Sequence, residues 1–309
     1  MKKIALVGLG QIALNQHLPV IKQIQEFDLV CSVSRTKKLK GVENYLSLES
    51  AIEARPDIDV VVLCTPPYVR FEQAMHAISQ GKHVLLEKPP AISEGQVAQL
   101  TAAAKSAQVS LIGSYHANYA PMIDRAKEHL QGTKILAGSI RWLEYFDDWH
   151  PNQDWIWERE GFGVFDAGIN AFSILTTISA GKFEVRSSEL QFLSHCDAPV
   201  SANVVLSSED EYLIHAEFDW RHQGKPIWEI ELQTTAGNIL VADGGAKLLV
   251  NNEVKFSRHS DPFAEYRGVY KHFLESVQTR SIDCDIQPLR LALESIAAGS
   301  NNNQSRAFS

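Results

Sequence analysis

What this chain has little of narrows its function first. It has four cysteines, Cys31, Cys64, Cys196 and Cys284, scattered with no CxxC pair and no histidine at metal-ligand spacing. That scatter speaks against a disulfide framework and the usual zinc patterns, so the expectation is a reduced protein without a metal site. Positive charge is also short. Lys and Arg number 29 against 37 Asp and Glu, for a formal net charge of −8. The one dense cationic run is RTKKLK, residues 35–40. A nucleic-acid partner is therefore not expected, and the acidic surplus reads as a solubilising surface. No apolar stretch reaches the ~18 residues of a membrane span, so no membrane partner is expected. The opening MKKIALVGLGQIAL mimics a secretion signal, but Gly8, Gly10, Gln11, Asn15 and Gln16 break its apolar run. A cytoplasmic location follows as an expectation.

What is present is ordinary globular material, 45% hydrophobic and 21% charged over 309 residues, enough for two domains or one large one. The first 118 residues alternate between two periods. KKIALVGLG, FDLVCSVS, DIDVVVLCTPP, KHVLLEKPP and VSLIGSYH read as apolar strands. Between them lie helices at 11–26, 47–55, from the prolines to about Ser79, and 93–107, with Ser47 and Ser93 as caps. Strands this apolar, alternating with helices, argue for a parallel sheet covered on both faces. After residue 119 the pattern changes to long alternating segments, KILAGSIRWLEYF to AKLLVNN, with one long helix at 161–180. These read as a large, mainly antiparallel open sheet. Helices at about 262–279 and 288–298 close the chain, and the polar tail 300–309 is expected to fray. The expectation is an α/β protein with a Rossmann-type dinucleotide-binding domain at 1–119 and a substrate-binding and oligomerisation domain at 120–309.

The dinucleotide reading rests on GLGQIA, a G-x-G-x-x-A motif formed by Gly8, Gly10 and Ala13, between the first strand and the first helix. The first glycine makes the turn and the second lets a pyrophosphate approach the backbone. The small third residue lets helix and strand pack closely. Gln11 and Ile12 open the helix, whose free N–H groups suit phosphate. An NAD-preferring site usually carries an acid at the end of the second strand, but here CSVSRT offers Ser34 and Arg35. Arg35 can pair with a 2′-phosphate, so NADP is expected in preference, with NAD possible. The bland alternative is a solvated basic loop. Two further strands end in CTPP (Cys64, Thr65, Pro66) and EKPP (Glu87, Lys88), at the sheet edge where an open parallel sheet binds its ligand. A lysine interrupting an apolar strand there invites a role, unless it simply turns out to water.

GFGVFDAGINAF, residues 161–172, places Asp166 and Asn170 four apart, on one face of a helix. They are either a structural pair in a core helix or a pair aimed at a substrate, and the local sequence leaves both open.

GLGQIA, CTPP and EKP together resemble the glucose–fructose oxidoreductase/inositol dehydrogenase (Gfo/Idh/MocA) family, and the two-part layout extends the resemblance over the whole chain. Within that family, 141–174 and 216–230, rich in tryptophan, are similar to bacterial L-arabinose and D-galactose 1-dehydrogenases. The resemblance implies an NAD(P)-dependent aldose 1-dehydrogenase that turns the C1 of a pyranose into a lactone. It implies that Lys88 takes the place of the family's catalytic lysine, and that Asp166 and Asn170 fall on its D-x-x-x-H pattern, with asparagine in place of histidine. It further implies that His116, Glu144, Trp149, His150 and Trp228 line a sugar pocket. Asparagine cannot take a proton at neutral pH, so the base is Lys88 or Asp166. Burial and the positive charge of oxidised nicotinamide favour a neutral Lys88 amine, whereas a nearby Asp166 opposes it. On residue type alone, His116 and His150 could equally be ordinary hydrogen-bonded histidines. Trp142, Trp155, Trp157 and Trp220 read as core. Alternatives within the resemblance are another sugar or polyol as substrate, or a non-catalytic dinucleotide-binding sensor. The open sheet is expected to pair two copies into a dimer.

Overall fold

The structure is a computed structural model that describes residues 1–257 and 261–306. The chain forms two compact units, Met1–His116 with Pro262–Ile286, and Ala117–Asp261 with the segment from Gln287 onward.

In the first unit, β1 (Lys2–Val7) leads through the glycine turn into a π-helical turn, Ala13–His17, continued by α1 (Leu18–Ile21). Then come β2 (Phe27–Val33), β3 (Glu43–Tyr45), α2 (Leu48–Ala54), β4 (Val60–Leu63), α3 (Pro67–Ser79), β5 (His83–Glu87), α4 (Glu94–Ala107) and β6 (Leu111–Ser114). All four residues of β4 are buried, as a strand covered on both faces requires. The Ser47 and Ser93 hydroxyls each accept from a backbone N–H three residues on, at 3.2 Å, and so cap α2 and α4. Register aligns the strand ends: Val7 lies beside both Val33 and Leu63. The residues that follow, Gly8, Ser34 and Cys64, therefore share one edge.

In the second unit, α5 (Ile123–Leu130) precedes β7 (Ile135–Leu143), α6 (Phe146–Trp149) and α7 (Phe165–Ser179). There follow β8 (Phe183–Phe192), β9 (Pro199–Ser208), β10 (Leu213–Asp219), β11 (Ile227–Thr234), β12 (Gly237–Ala242), β13 (Lys247–Val250) and β14 (Glu253–Ser257). The strand order is β14-β13-β12-β11-β7-β10-β9-β8, antiparallel except for the parallel pair β7–β10. Strand β10 alternates exposed and buried residues, the signature of a sheet with one covered face. Phe165 and Phe172 of α7 pack on Phe218 of β10, with ring centroids 5.6 and 5.2 Å apart.

The chain then returns to the first unit as α8 (Ala264–Thr279) and β15 (Ile282–Asp283), before α9 (Gln287–Arg306). Strand β15 extends the parallel sheet to β15-β6-β5-β4-β1-β2-β3. Tyr270 and Phe273 of α8 pack on Phe27. The division thus differs from a single cut at 119/120, because Pro262–Ile286 buries its apolar side chains in the first unit's core. Other differences are local. The first helix stops at Ile21, short of residue 26, and the short strands β3, β14 and β15 have no periodic signal. Helix α9 runs on to Arg306, so the tail expected to fray is helical as far as there, and 307–309 lie outside the described residues. One stretch, Arg159–Ser179, is after all long and apolar enough to span a membrane, but 89% of its apolar window is buried within the protein, as in a core helix.

Candidate active site

The dinucleotide motif folds as its residue types require. Gly8 has φ +84°, and a Cβ on it would lie 2.8 Å from the backbone of Cys64 and Thr65. Its N–H donates to Val33 O at 2.9 Å, and Cys64 N–H donates to Val7 O at 2.8 Å. Only glycine lets the three strand ends close up in this way. A Cβ on Gly10, by contrast, would meet nothing within 4 Å. That open approach beside the start of the helix at Gln11 and Ile12 fits a dinucleotide pyrophosphate. Ser34 donates its backbone N–H to Tyr45 O, and its Oγ accepts from the N–H groups of Thr36 and Lys37, so it shapes the loop that carries the exposed Arg35. Thr65 donates its hydroxyl to Gln73 Oε1 at 2.6 Å. Burial, reinforced by the Glu87 charge, pushes the Cys64 thiol well above its ordinary value.

The EKP segment is fixed from two sides. The Arg70 guanidinium, 3% exposed, donates to the carbonyls of Thr65, Glu87 and Pro89. The Lys88–Pro89 bond is cis, and Lys88 is half-buried. Glu87, 3% exposed, turns its carboxylate into the unit. Its Oε1 accepts from Tyr266 OH at 2.7 Å, from His17 Nε2 at 2.9 Å and from Ser114 Oγ at 3.3 Å. Its Oε2 accepts from the Lys88 backbone N–H at 3.0 Å. Burial alone would raise its pKa, but the His17 hydrogen bond and neighbouring positive charge hold it down at about 2. Glu87, read from its place at the sheet edge as a cofactor contact, thus spends its carboxylate on the protein's own donors. His116 has Nδ1 2.5 Å from Glu265 Oε2 and stacks on Tyr266 at 5.2 Å. His17, Arg70, Ser114, Glu265, Tyr266 and Tyr270 were missed in the sequence. The one available signal was the i, i+4 spacing of Tyr266 and Tyr270 on a helix otherwise read as part of the second domain.

In the second unit the polar residues gather at the ends of neighbouring strands. Glu144, just past β7 and 4% exposed, accepts from Trp220 Nε1 at 3.1 Å and from Trp228 Nε1 at 2.6 Å. One carboxylate therefore fixes two indoles, one oxygen to each. Trp142 pairs in register with Trp228 across β7–β11, and Trp149, 45% exposed, lies 5.3 Å from the Trp228 ring. Of the tryptophans read as core, Trp142 and Trp220 are buried, whereas Trp155 and Trp157 are only half-buried. Gly163 turns the chain into α7 at φ +53°, where a Cβ would sit 2.2 Å from Pro199 O. Asp166 then enters the first turn of α7, 3% exposed, where the helix dipole favours an anion. Its Oδ2 is 3.6 Å from His150 Nε2, and the His150 ring lies against Trp220. Asn170 follows one turn on. Its Oδ1 is buried and accepts no hydrogen bond among the described residues. Glu144, Trp149, His150, Asp166, Asn170 and Trp228 therefore belong to this unit, and Lys88 and His116 to the other.

Residues 2–115 match the oxidoreductase family with an NAD-binding Rossmann fold, Gfo/Idh/MocA. The chain is 37% identical over 298 residues to galactose 1-dehydrogenase of Pseudomonas fluorescens, covering 96% of each protein. The crystal structure of a D-galactose-1-dehydrogenase protein from Rhizobium etli is 40% identical, with a TM-score of 0.89, covering 96% of this chain and 94% of that one. The structure of GenD2 from gentamicin A biosynthesis, in complex with NAD, shares the fold alone at 20% identity and a TM-score of 0.82, covering 99% of this chain and 95% of that one. Likeness over the full length, on a two-unit α/β fold with this glycine edge, makes the chain a member of the Gfo/Idh/MocA oxidoreductase family.

Proposed function

We propose that this protein is an aldose 1-dehydrogenase that oxidises C1 of D-galactose or L-arabinose, in the pyranose form, to the lactone, and that it uses NADP in preference to NAD. The observation that carries the reading is the full-length likeness to two galactose 1-dehydrogenases. The unit beyond the dinucleotide motif supports it, because its indoles and polar groups suit a ring with C–H faces and hydroxyl edges.

When bound, the oxidised dinucleotide supplies the hydride acceptor at C4 of its nicotinamide. Lys88 accepts the C1 hydroxyl proton: the O–H bond breaks, an N–H bond forms, and the amine becomes an ammonium as hydride leaves C1. Asn170 orients the anomeric end by hydrogen bonding only, and Asp166 accepts a hydrogen bond from the sugar beside it. Trp149 and Trp228 cover the apolar patch of ring C–H bonds. Glu144, His116 and His150 meet the ring hydroxyls. The two sugars share configuration at C2, C3 and C4 and differ at C5, so the selective contacts are those to the shared hydroxyls. Ser34 and Arg35, with no carboxylate at the end of β2, support the NADP preference.

The outer face of the large sheet carries Arg141 between Glu217 and Glu229, 3.8 and 3.7 Å away, and this charged face is our proposed dimer contact. The function is tested with a panel of aldoses, each mixed with protein and NADP+ and followed by reduced-cofactor absorbance. D-Galactose or L-arabinose should reduce the cofactor, and D-glucose, the C4 epimer of galactose, should do so far less. A pocket built for one hydroxyl loses heavily when that group is inverted. A protein that prefers D-glucose, or reduces cofactor with no aldose, overturns the reading.

A further inference from the structure

The return of the chain to the first unit sets two neighbouring side chains of α8 against His116. Glu265, in the first turn of that helix, has Oε2 2.5 Å from His116 Nδ1. Tyr266, the next residue, stacks on the imidazole, the two rings 5.2 Å apart and 19° from parallel. Tyr266 is itself fixed. It is buried, its hydroxyl donates to Glu87 Oε1 at 2.7 Å, and the His17 ring meets it edge to face at 4.8 Å. The Glu87 carboxylate, which also binds His17 and Ser114, therefore anchors the platform on which His116 rests. One nitrogen and one face of the His116 ring are thus committed to the protein. Nε2 has no hydrogen-bond partner among the described residues, and the side chain remains 18% exposed. An ionised carboxylate only accepts hydrogen bonds, so the Glu265 contact puts a proton on Nδ1. In the neutral ring Nε2 then carries a lone pair and no proton.

We propose that Glu265 is a positioning residue that fixes His116 in the Nδ1–H tautomer, so that Nε2 accepts a hydrogen bond from one sugar hydroxyl and has nothing to donate. This rests on the reading of His116 as a sugar contact. Tyr266 sets the plane of the ring, and Glu265 sets which nitrogen carries the proton. The selectivity that follows is one of polarity as well as position. A hydroxyl turns its O–H towards the lone pair. Fluorine in the same place only accepts, and it meets the Nε2 lone pair with lone pairs of its own, leaving the histidine unpaired.

Two measurements test this. Nitrogen-15 NMR of the unmutated protein, at a pH where the ring is neutral, reads the tautomer with no sugar present, the His116 signals being assigned by their loss in His116→Phe. The proton should sit on Nδ1, and a proton on Nε2 overturns the proposal without any variant of Glu265. Glutamine at 265 either accepts from Nδ1–H or donates to a bare Nδ1, so Glu265→Gln should show the Nε2–H form as well. The second measurement is kcat/KM for D-galactose and for its analogues with fluorine in place of the hydroxyl at C2, C3 or C4. At one of these positions fluorine should cost the unmutated protein about 10-fold more than it costs His116→Phe. Glu265→Gln should lose most of that excess. The electronic effect of fluorine on C1 is common to all three proteins and cancels. A purely structural role for Glu265 would lower activity on every sugar alike and keep the excess. If the excess depends on His116 but survives in Glu265→Gln, the sugar contact stands and the proposal for Glu265 is overturned. If no position shows an excess that depends on His116, the reading of His116 as a sugar contact fails, and the proposal falls with it.

Discussion

Replacing Glu144 by glutamine probes how the second unit holds its indoles. The carboxylate accepts from Trp220 Nε1 at 3.1 Å and from Trp228 Nε1 at 2.6 Å, one oxygen to each. Glutamine is nearly isosteric, but it has one acceptor oxygen and an NH₂ group that only donates. Whichever way it sits, one indole N–H faces another donor in a buried site. A charge-assisted hydrogen bond contributes about 1.5–3 kcal/mol, and leaving a buried donor unpaired costs about 1–3 kcal/mol. We expect a loss of about 2–4 kcal/mol of stability, or about 5–15 °C in Tm for a domain of this size. The sugar KM should rise, because Trp228 is no longer held. Trp228→Phe removes the second N–H, so Glu144→Gln should cost far less in that background. Thermal unfolding of the four proteins of this cycle, with sugar KM for each, is the assay. An unchanged Tm in Glu144→Gln, or strictly additive effects, refutes the reasoning.

Gly8→Ala forces a side chain onto φ +84° and a Cβ to within 2.8 Å of the Cys64 and Thr65 backbone. The left-handed conformation alone costs about 1–2 kcal/mol, and dinucleotide affinity, measured by fluorescence titration, should fall by at least about 10-fold. Arg35→Asp should reverse the cofactor preference, since a charge-assisted contact to a 2′-phosphate corresponds to roughly 10- to 100-fold in Kd. Equal Kd values for NADP+ and NAD+ in the unmutated protein would remove the basis for that preference. Lys88→Met should lower kcat by about 10²–10⁴ while leaving cofactor affinity nearly intact. Near-normal turnover in Lys88→Met at alkaline pH, with loss in Asp166→Asn, would make Asp166 the base.

The parallel half was legible because strands buried on both faces are apolar throughout, because Gly8 is demanded by local backbone geometry, and because Ser47 and Ser93 cap their helices. Helix α7 was legible from its length and apolar content. The return of Pro262–Ile286 was not. Its strand β15 has two residues, and what fixes it is pairing with β6, some 170 positions earlier in the chain, which no local pattern encodes. Glu144 shows the same limit inside the site. Its indole partners lie 76 and 84 positions away, so residue type suggested a polar contact without revealing that both oxygens hold tryptophans. Glu87 read as an edge residue beside the cofactor, and its burial depends on donors that only the folded chain assembles.

The central claim is that hydride leaves C1 of the sugar while the chain's own groups take the hydroxyl proton. It is tested most directly with D-galactose carrying deuterium at C1, together with NADP+, followed by mass analysis of the reduced cofactor and comparison of kcat/KM with the unlabelled sugar. The account expects one deuterium in the reduced cofactor, galactonolactone as the product, and a slower reaction with the labelled sugar wherever hydride transfer limits the rate. Reduced cofactor that forms without deuterium would place the oxidised carbon elsewhere on the sugar and contradict the account.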